Sequence, residues 1–182
     1  MVDGSERVSI FIDGNNLYHS LNRIKAGKID YQKLINELIG TRILINVFYY
    51  IASLDITSGE ERYWKHQKFL SELGKIPGFK IVLCTLRKYL KPDGTFGFDV
   101  KGDDVYLAND MLVGAYENLY DTAILISGDE DFMPVVNTLK KLGKKVENLY
   151  FTSSSSKKLR KTCTSYFNIR NILDKIKFEK EI

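Results

Sequence analysis

Five short apolar runs, each rich in β-branched or aromatic residues and separated from the next by a segment of helical length, constrain this 182-residue chain more than any other feature. They are VSIFI (8–12), RILINVFYYIASL (42–54), FKIVLCTLRKYL (79–90), TAILIS (122–127) and KKVENLYF (144–151). Strands that alternate with helices imply a parallel sheet covered on both faces, because a parallel connection needs a crossover long enough to hold a helix. The expected fold is therefore α/β, a three-layer α/β/α sandwich around a mainly parallel, Rossmann-like sheet.

The intervening segments fit that plan. Asn15 to Lys25 places Leu17, Leu21 and Ile24 on one helical face, and Asp30 stands as the N-cap of a helix that stops at Gly40. GEERYWKHQKFLSELGK (59–75) opens with acids and reaches Gly74 near its end, as the helix dipole favours. A further helix is expected from Asp103 to about Leu119, and another from about Glu130 to Leu142, halted by Gly143. Pro92-Asp93-Gly94 marks a turn, so Tyr89 to Val100 reads as a hairpin extending the sheet edge. The four serines at 153–156 read as a loop before a short basic helix, and there is no internal repeat.

Composition bounds the class. A chain of this length with 44% hydrophobic residues reads as one domain over 1–182 that needs no disulfide or metal staple. Two cysteines are too few for a disulfide framework or a four-ligand zinc site, which points to reduced thiols and a cytoplasmic location. The first residues, MVDGSERVSI, lack the apolar core of a signal peptide. The longest apolar-rich run has 12 residues including Asn46, short of the roughly 18–20 that span a bilayer, so no membrane partner is expected. Net charge is only +4, but from Lys140 to Ile182 twelve Lys or Arg stand against four Asp or Glu. This basic C-terminal segment, about 153–182, suits either a solvated surface or attraction to a polyanion such as nucleic acid.

The acids are more informative. In open α/β sheets ligands bind beyond the carboxyl ends of the strands, where the strand order reverses. Asp13 ends the first run, and Asp129 and Asp131 of SGDED follow the fourth. The helix of KGDDVYLAND leads into that fourth strand, so its start, with Asp103 and Asp104, belongs at the same edge. Helical phase aligns Asp104 with Ala108, Met111, Leu112 and Ala115, the stripe expected to face the sheet; Asp103, Leu107, Asp110 and Gly114 form a neighbouring stripe, with Asp110 nearly two turns further down.

Taken singly, each acid has an ordinary role as a helix cap or turn former. Together they conflict, since two carboxylates ~4 Å apart repel by about 4 kcal/mol at an effective dielectric near 20. Lys101 is the only base within a few residues of them. A hard divalent cation, Mg²⁺ or Mn²⁺, takes oxygen ligands and offsets such repulsion, and paired ions of this kind support phosphodiester hydrolysis. Setting aside Asp13, Asp103, Asp104, Asp110, Asp129, Glu130 and Asp131 leaves 16 of the 23 acids against 27 bases. An acidic hollow in a basic surround suits a phosphate backbone. Lys88, Lys91 and Lys101 with Tyr89, Phe96 and Phe98 outline either a lip for bases and phosphates or an ordinarily packed hairpin.

Three ordered motifs, FIDGNNLYHSL, KGDDVYLANDML and YDTAILISGDEDFMPVVNTLKKLGKKVE, resemble the NYN domain of the LabA-like proteins, a branch of the PIN-like nuclease superfamily, from Val8 to about Ile172. The resemblance implies a PIN-like fold and a Mg²⁺- or Mn²⁺-dependent nuclease acting on RNA rather than DNA. On the matching residues it implies a metal held by Asp13, Asp104 and Asp129, with Asn16 and Asp131 supporting the catalytic site. Asp104 is the acid of Lys-Gly-x-Asp, and Asp103 fills the variable place beside it. Asp110 matches the acid of the Asp-Met-Leu segment, and with Lys88 and Lys101 it is expected to serve substrate binding. The alternative is a non-catalytic regulatory RNA-binding or protein-interaction module; a homo-oligomer is compatible with either. No phosphate-binding glycine motif is present, a phosphatase Asp-x-Asp would need an acid where Asn15 stands, and His19 and His66 read as polar surface groups on helices.

Overall fold

The computed structural model describes residues 6–178; the first five residues of the charged start and residues 179–182 of the basic C-terminal segment lie outside the described residues. The strands are β1 (Arg7–Asp13), β2 (Ile43–Ala52), β3 (Phe79–Leu90), β4 (Phe96–Lys101), β5 (Thr122–Ile126), β6 (Lys145–Tyr150) and β7 (Ser165–Asn168). The helices are α1 (Gly14–Arg23), α2 (Tyr31–Ile39), α3 (Glu60–Leu73), α4 (Asp103–Tyr116), α5 (Met133–Lys141), α6 (Lys157–Thr162) and α7 (Leu173–Ile176). All strands join one sheet in the order β4-β3-β2-β1-β5-β6-β7, parallel throughout except for β4. The fold is α/β, as the alternation of runs predicts, and PIN-like, as the resemblance implies.

β1 lies at the centre and is buried on both faces. Alternation sends Val8, Ile10 and Ile12 to a core shared with Leu17 and Leu21 of α1 and Leu34, Ile35 and Leu38 of α2. Phe11 points the other way, to a core with Leu107 and Met111 of α4 and Val136 and Leu139 of α5. Each fully buried side chain of this kind contributes about 1.5–3 kcal/mol, which is why both layers are held firmly to the sheet. The chain first builds outward from β1 through β2 and β3 to β4. α4 then carries it back to β5, beside β1, and the sheet grows in the opposite direction. The reversal between β1 and β5 is a topological switch point.

Some elements depart from expectation. Glu130–Phe132 form a 3-10 turn, and α5 starts only at Met133, with Pro134 in its first turn where a missing N–H costs nothing. Antiparallel pairing with β4 begins at Thr85 rather than Tyr89, because β3 changes partner in mid-strand. β7 was not expected; its four residues are too few for a visible alternation, and pairing with β6 creates it. His66 is not a surface group. It shares a helical stripe with the buried Leu70 and Leu73, and both ring nitrogens are buried without a hydrogen-bond partner. Burial, then Arg62, lowers its pKa, so the ring is held neutral. No helix among the described residues is long and apolar enough to cross a membrane.

Candidate active site

Asp13 closes β1 at the switch point and is 7% exposed. Its Oδ1 accepts the backbone N–H of Asn16 at 2.9 Å, capping α1, and its Oδ2 accepts the Ser127 hydroxyl at 2.9 Å. Desolvation pushes its pKa up; the bonds from Asn16 and Ser127 oppose that, and the charges of Asp103 and Asp129 add to it. The glycine that follows is needed for contact. A Cβ on Gly14 would lie 2.6 Å from the Tyr50 carbonyl oxygen and 2.8 Å from the Tyr49 ring, so only glycine lets α1 start this close to β2.

On the β5 side, Ser127 ties two acids together. Its oxygen donates to Asp13 and accepts the backbone N–H of Asp129 at 3.2 Å. Asp129 caps the following 3-10 turn by accepting the Asp131 N–H at 3.0 Å. Asn16 Oδ1 accepts the Gly128 N–H at 3.2 Å, so Asn16 acts on the loop that carries Asp129. Asn148, fully buried on β6, donates its amide to the carbonyls of Leu125 and Ser127 at 3.0 and 2.9 Å. Neither Ser127 nor Asn148 is singled out by motif reasoning. The available signal for Asn148 was a lone amide inside the apolar run KKVENLYF.

α4 brings the third segment. Gly102 precedes it at φ 91°, a left-handed conformation that glycine adopts readily. Asp103 Oδ2 accepts the side-chain amide of Asn15 at 3.1 Å and is half-buried, whereas Asp104 is exposed at the residue level. This corrects the expected helix phase. The buried face is Leu107, Met111, Gly114 and Ala115, straddling both stripes, because the Tyr120 ring packs where a Gly114 side chain would stand. Asp104 nevertheless feels the whole cluster. Partial desolvation, followed by the charges of Asp103, Asp13, Asp129 and Asp131, pushes its carboxyl up to about 6. Carboxylates from three segments thus bear on one another at one sheet edge.

The other expected residues sit as follows. Asp110 Oδ2 accepts the Tyr50 hydroxyl at 2.8 Å, and Tyr50 is the strand partner of Asp13, so Asp110 pins α4 to the sheet. Lys101 pairs with Asp99 at 2.6 Å and is occupied on the hairpin rather than among the acids. The Lys88 ammonium stands 3.8 Å from the centre of the Phe96 ring. Among the described residues no three ligating side chains already surround a common point. The donor set still fits a hard cation. Mg²⁺ keeps several waters and takes one or two carboxylates directly, and the neighbouring charges that add to desolvation in raising Asp104 are what such an ion offsets.

Comparison with the curated proteins gives no match. Among solved structures, a protein of unknown function from Vibrio parahaemolyticus is similar, with a TM-score of 0.67 and 25% identity over 93% of this chain and 96% of that one. Residues 7–172, which hold β1, the start of α4 and the Ser127–Asp131 loop, match the NYN domain model, and the chain belongs to the NYN domain family within the PIN-like nuclease superfamily.

Proposed function

We propose that this protein is a LabA-like, metal-dependent endoribonuclease of the cytoplasm, with Mg²⁺ or Mn²⁺ held by Asp13, Asp104 and Asp129. The observation that carries this reading is the meeting of carboxylates from β1, α4 and the Ser127–Asp131 loop at the switch point of an NYN chain. When bound, the ion lowers the pKa of water and stabilises charge on the phosphodiester. The chain's own contribution is placement. Ser127 holds Asp13 and the Asp129 loop in fixed relation, Asn16 steadies that loop through Gly128, and Asn15 restrains Asp103. Asp131, two residues on in the 3-10 turn that Asp129 caps, completes the negative field. Lys88 contacts substrate phosphates from the hairpin, and Lys101 joins it only by exchanging Asp99 for a phosphate. In-line attack by water leaves a 5′-phosphate and a 3′-hydroxyl.

The test is incubation of labelled single-stranded RNA with Mn²⁺, with EDTA, and with Mn²⁺ and Asp104→Asn protein. Products with 5′-phosphate ends are expected only in the first, and equal cleavage in all three rejects the reading. A second reading, a regulatory RNA-binding module without turnover, draws support from the absence of a preformed three-ligand arrangement among the described residues. Salt-sensitive RNA binding with no metal-stimulated products would select it.

A further inference from the structure

β3 outruns the sheet. Phe79 to Cys84 pair with β2, whose last residue, Ala52, faces Cys84, while Thr85 to Leu90 continue past that edge paired with β4. At about 3.3 Å per residue, this arm extends roughly 20 Å beyond the carboxyl edge that carries Asp13. Alternation puts Leu86, Lys88 and Leu90 on one face, and the register sets Val100, Phe98 and Phe96 opposite them on the same face. It continues the face on which Cys84 is buried in the α4 layer, and Val100 still packs on that core. Further out the cover ends. Phe98 is 49% exposed, Phe96 57% and Leu90 65%.

The surroundings say what suits this face. On this face of the paired strands the charged residue is Lys88, with Lys91 in the turn beyond it, whereas Arg87, Asp99 and Lys101 take the opposite face, where Lys101 pairs with Asp99. On the other side of the β1–β5 switch point, α6 carries Lys157, Lys158, Arg160 and Lys161 and no acid. The start of α6 is held at the same edge by the Ser156 N–H on the Gly128 carbonyl. The acids therefore lie between two basic elements along one edge. A phosphate backbone laid along that edge meets bases at both ends and the carboxylates in the middle. Two exposed phenylalanines beside Lys88, whose ammonium stands over one face of the Phe96 ring and leaves the other open, add a requirement, since aromatic faces hold unpaired bases. A duplex keeps its bases stacked on one another and offers such rings nothing.

We infer that the β3–β4 arm is a stacking platform for the bases of single-stranded RNA, whose backbone runs from the arm across the acidic edge to α6. The inference rests on the ribonuclease reading for the choice of RNA, and adds to it the contact surface and the requirement for unpaired bases. The test is fluorescence anisotropy in EDTA with the full chain and a labelled RNA of about 12 nucleotides, within the ~4–16 typical of such grooves. Phe96→Ala/Phe98→Ala is expected to bind about 5-fold or more weakly, with an unchanged melting temperature because both rings are exposed. Phe96→Trp/Phe98→Trp should restore binding, and a blunt duplex of the same sequence should bind both proteins alike.

Four results would overturn the inference: no RNA binding by the wild type, equal affinity of wild type and the alanine variant, an equal loss for the duplex, or tighter binding of the same sequence as DNA. Sedimentation adds a fifth, since a wild-type dimer that the alanine variant abolishes would make the arm a contact between copies. Cleavage is not read in this assay, so loss of the catalytic reading and loss of the platform are separately visible.

Discussion

Replacing Asp104 with asparagine should stabilise the metal-free protein near neutral pH, an unusual direction for a change in a candidate active site. The Asp104 carboxyl is pushed from 3.8 up to about 6 by desolvation and four neighbouring acids. A shift of that size corresponds to ~3 kcal/mol in an enclosed site. Because the residue is exposed at its surface, solvent screening reduces the figure to about 1–2 kcal/mol. The sign follows from the direction of the shift. The folded state holds this proton more tightly than the unfolded chain does, so the contribution is most favourable below the unfolded pKa and is lost as pH rises from about 4 through about 6. At about pH 7.5 in EDTA, Asp104→Asn should therefore melt roughly 2–8 °C higher than wild type, as expected for a chain of this size. The gain should largely vanish near pH 4. Saturating Mn²⁺ should reverse the order, since the wild type then gains an ion the variant holds poorly. Paired thermal melts by calorimetry read all three conditions. A lower melting temperature for the variant in EDTA at about pH 7.5, or an equal difference at both pH values, would refute the argument that crowded carboxylates strain this edge.

Ser127→Ala removes the hydroxyl that serves both Asp13 and the Asp129 N–H; it should cost about 1–3 kcal/mol in a denaturant titration and raise the pH needed for Mn²⁺ binding, because Asp13 loses a bond that favours its charged form. Gly14→Ala drives a methyl against the Tyr50 carbonyl and the Tyr49 ring; a loss of about 1–3 kcal/mol is expected, and an unchanged denaturation midpoint would show that α1 can retreat from β2 freely. Wild type in Mn²⁺ at a hundredfold excess over its dissociation constant should gain about 2.7 kcal/mol, a gain that EDTA reverses and Asp13→Asn largely removes.

Much of this fold is written locally. The short apolar run VSIFI, the helical stripe through Leu17 and Leu21, the Asp30 cap and the Pro92-Asp93-Gly94 turn each report on a few neighbouring residues, and short-range sterics and burial decide them. The edge that gathers the acids was legible for a related reason: every parallel strand ends on the same side of the sheet, so Asp13 and Asp129 needed no contact map to be placed together. Helical phase ranked Asp104 ahead of Asp103 as the inward acid, and the structure leaves Asp103 the less exposed of the two, because the turn of α4 on the sheet depends on Tyr120 packing against Gly114. Nor could the sequence show that Lys101 is taken by Asp99, that Asn15 reaches Asp103 across 88 residues of chain, or that Ser127 and Asn148 brace the site. β7 likewise exists through its pairing with β6. Propensity and period act over one or two turns of chain, whereas these features are settled by which polar atoms meet once two distant segments are pressed together, and only the packed tertiary structure sets that distance.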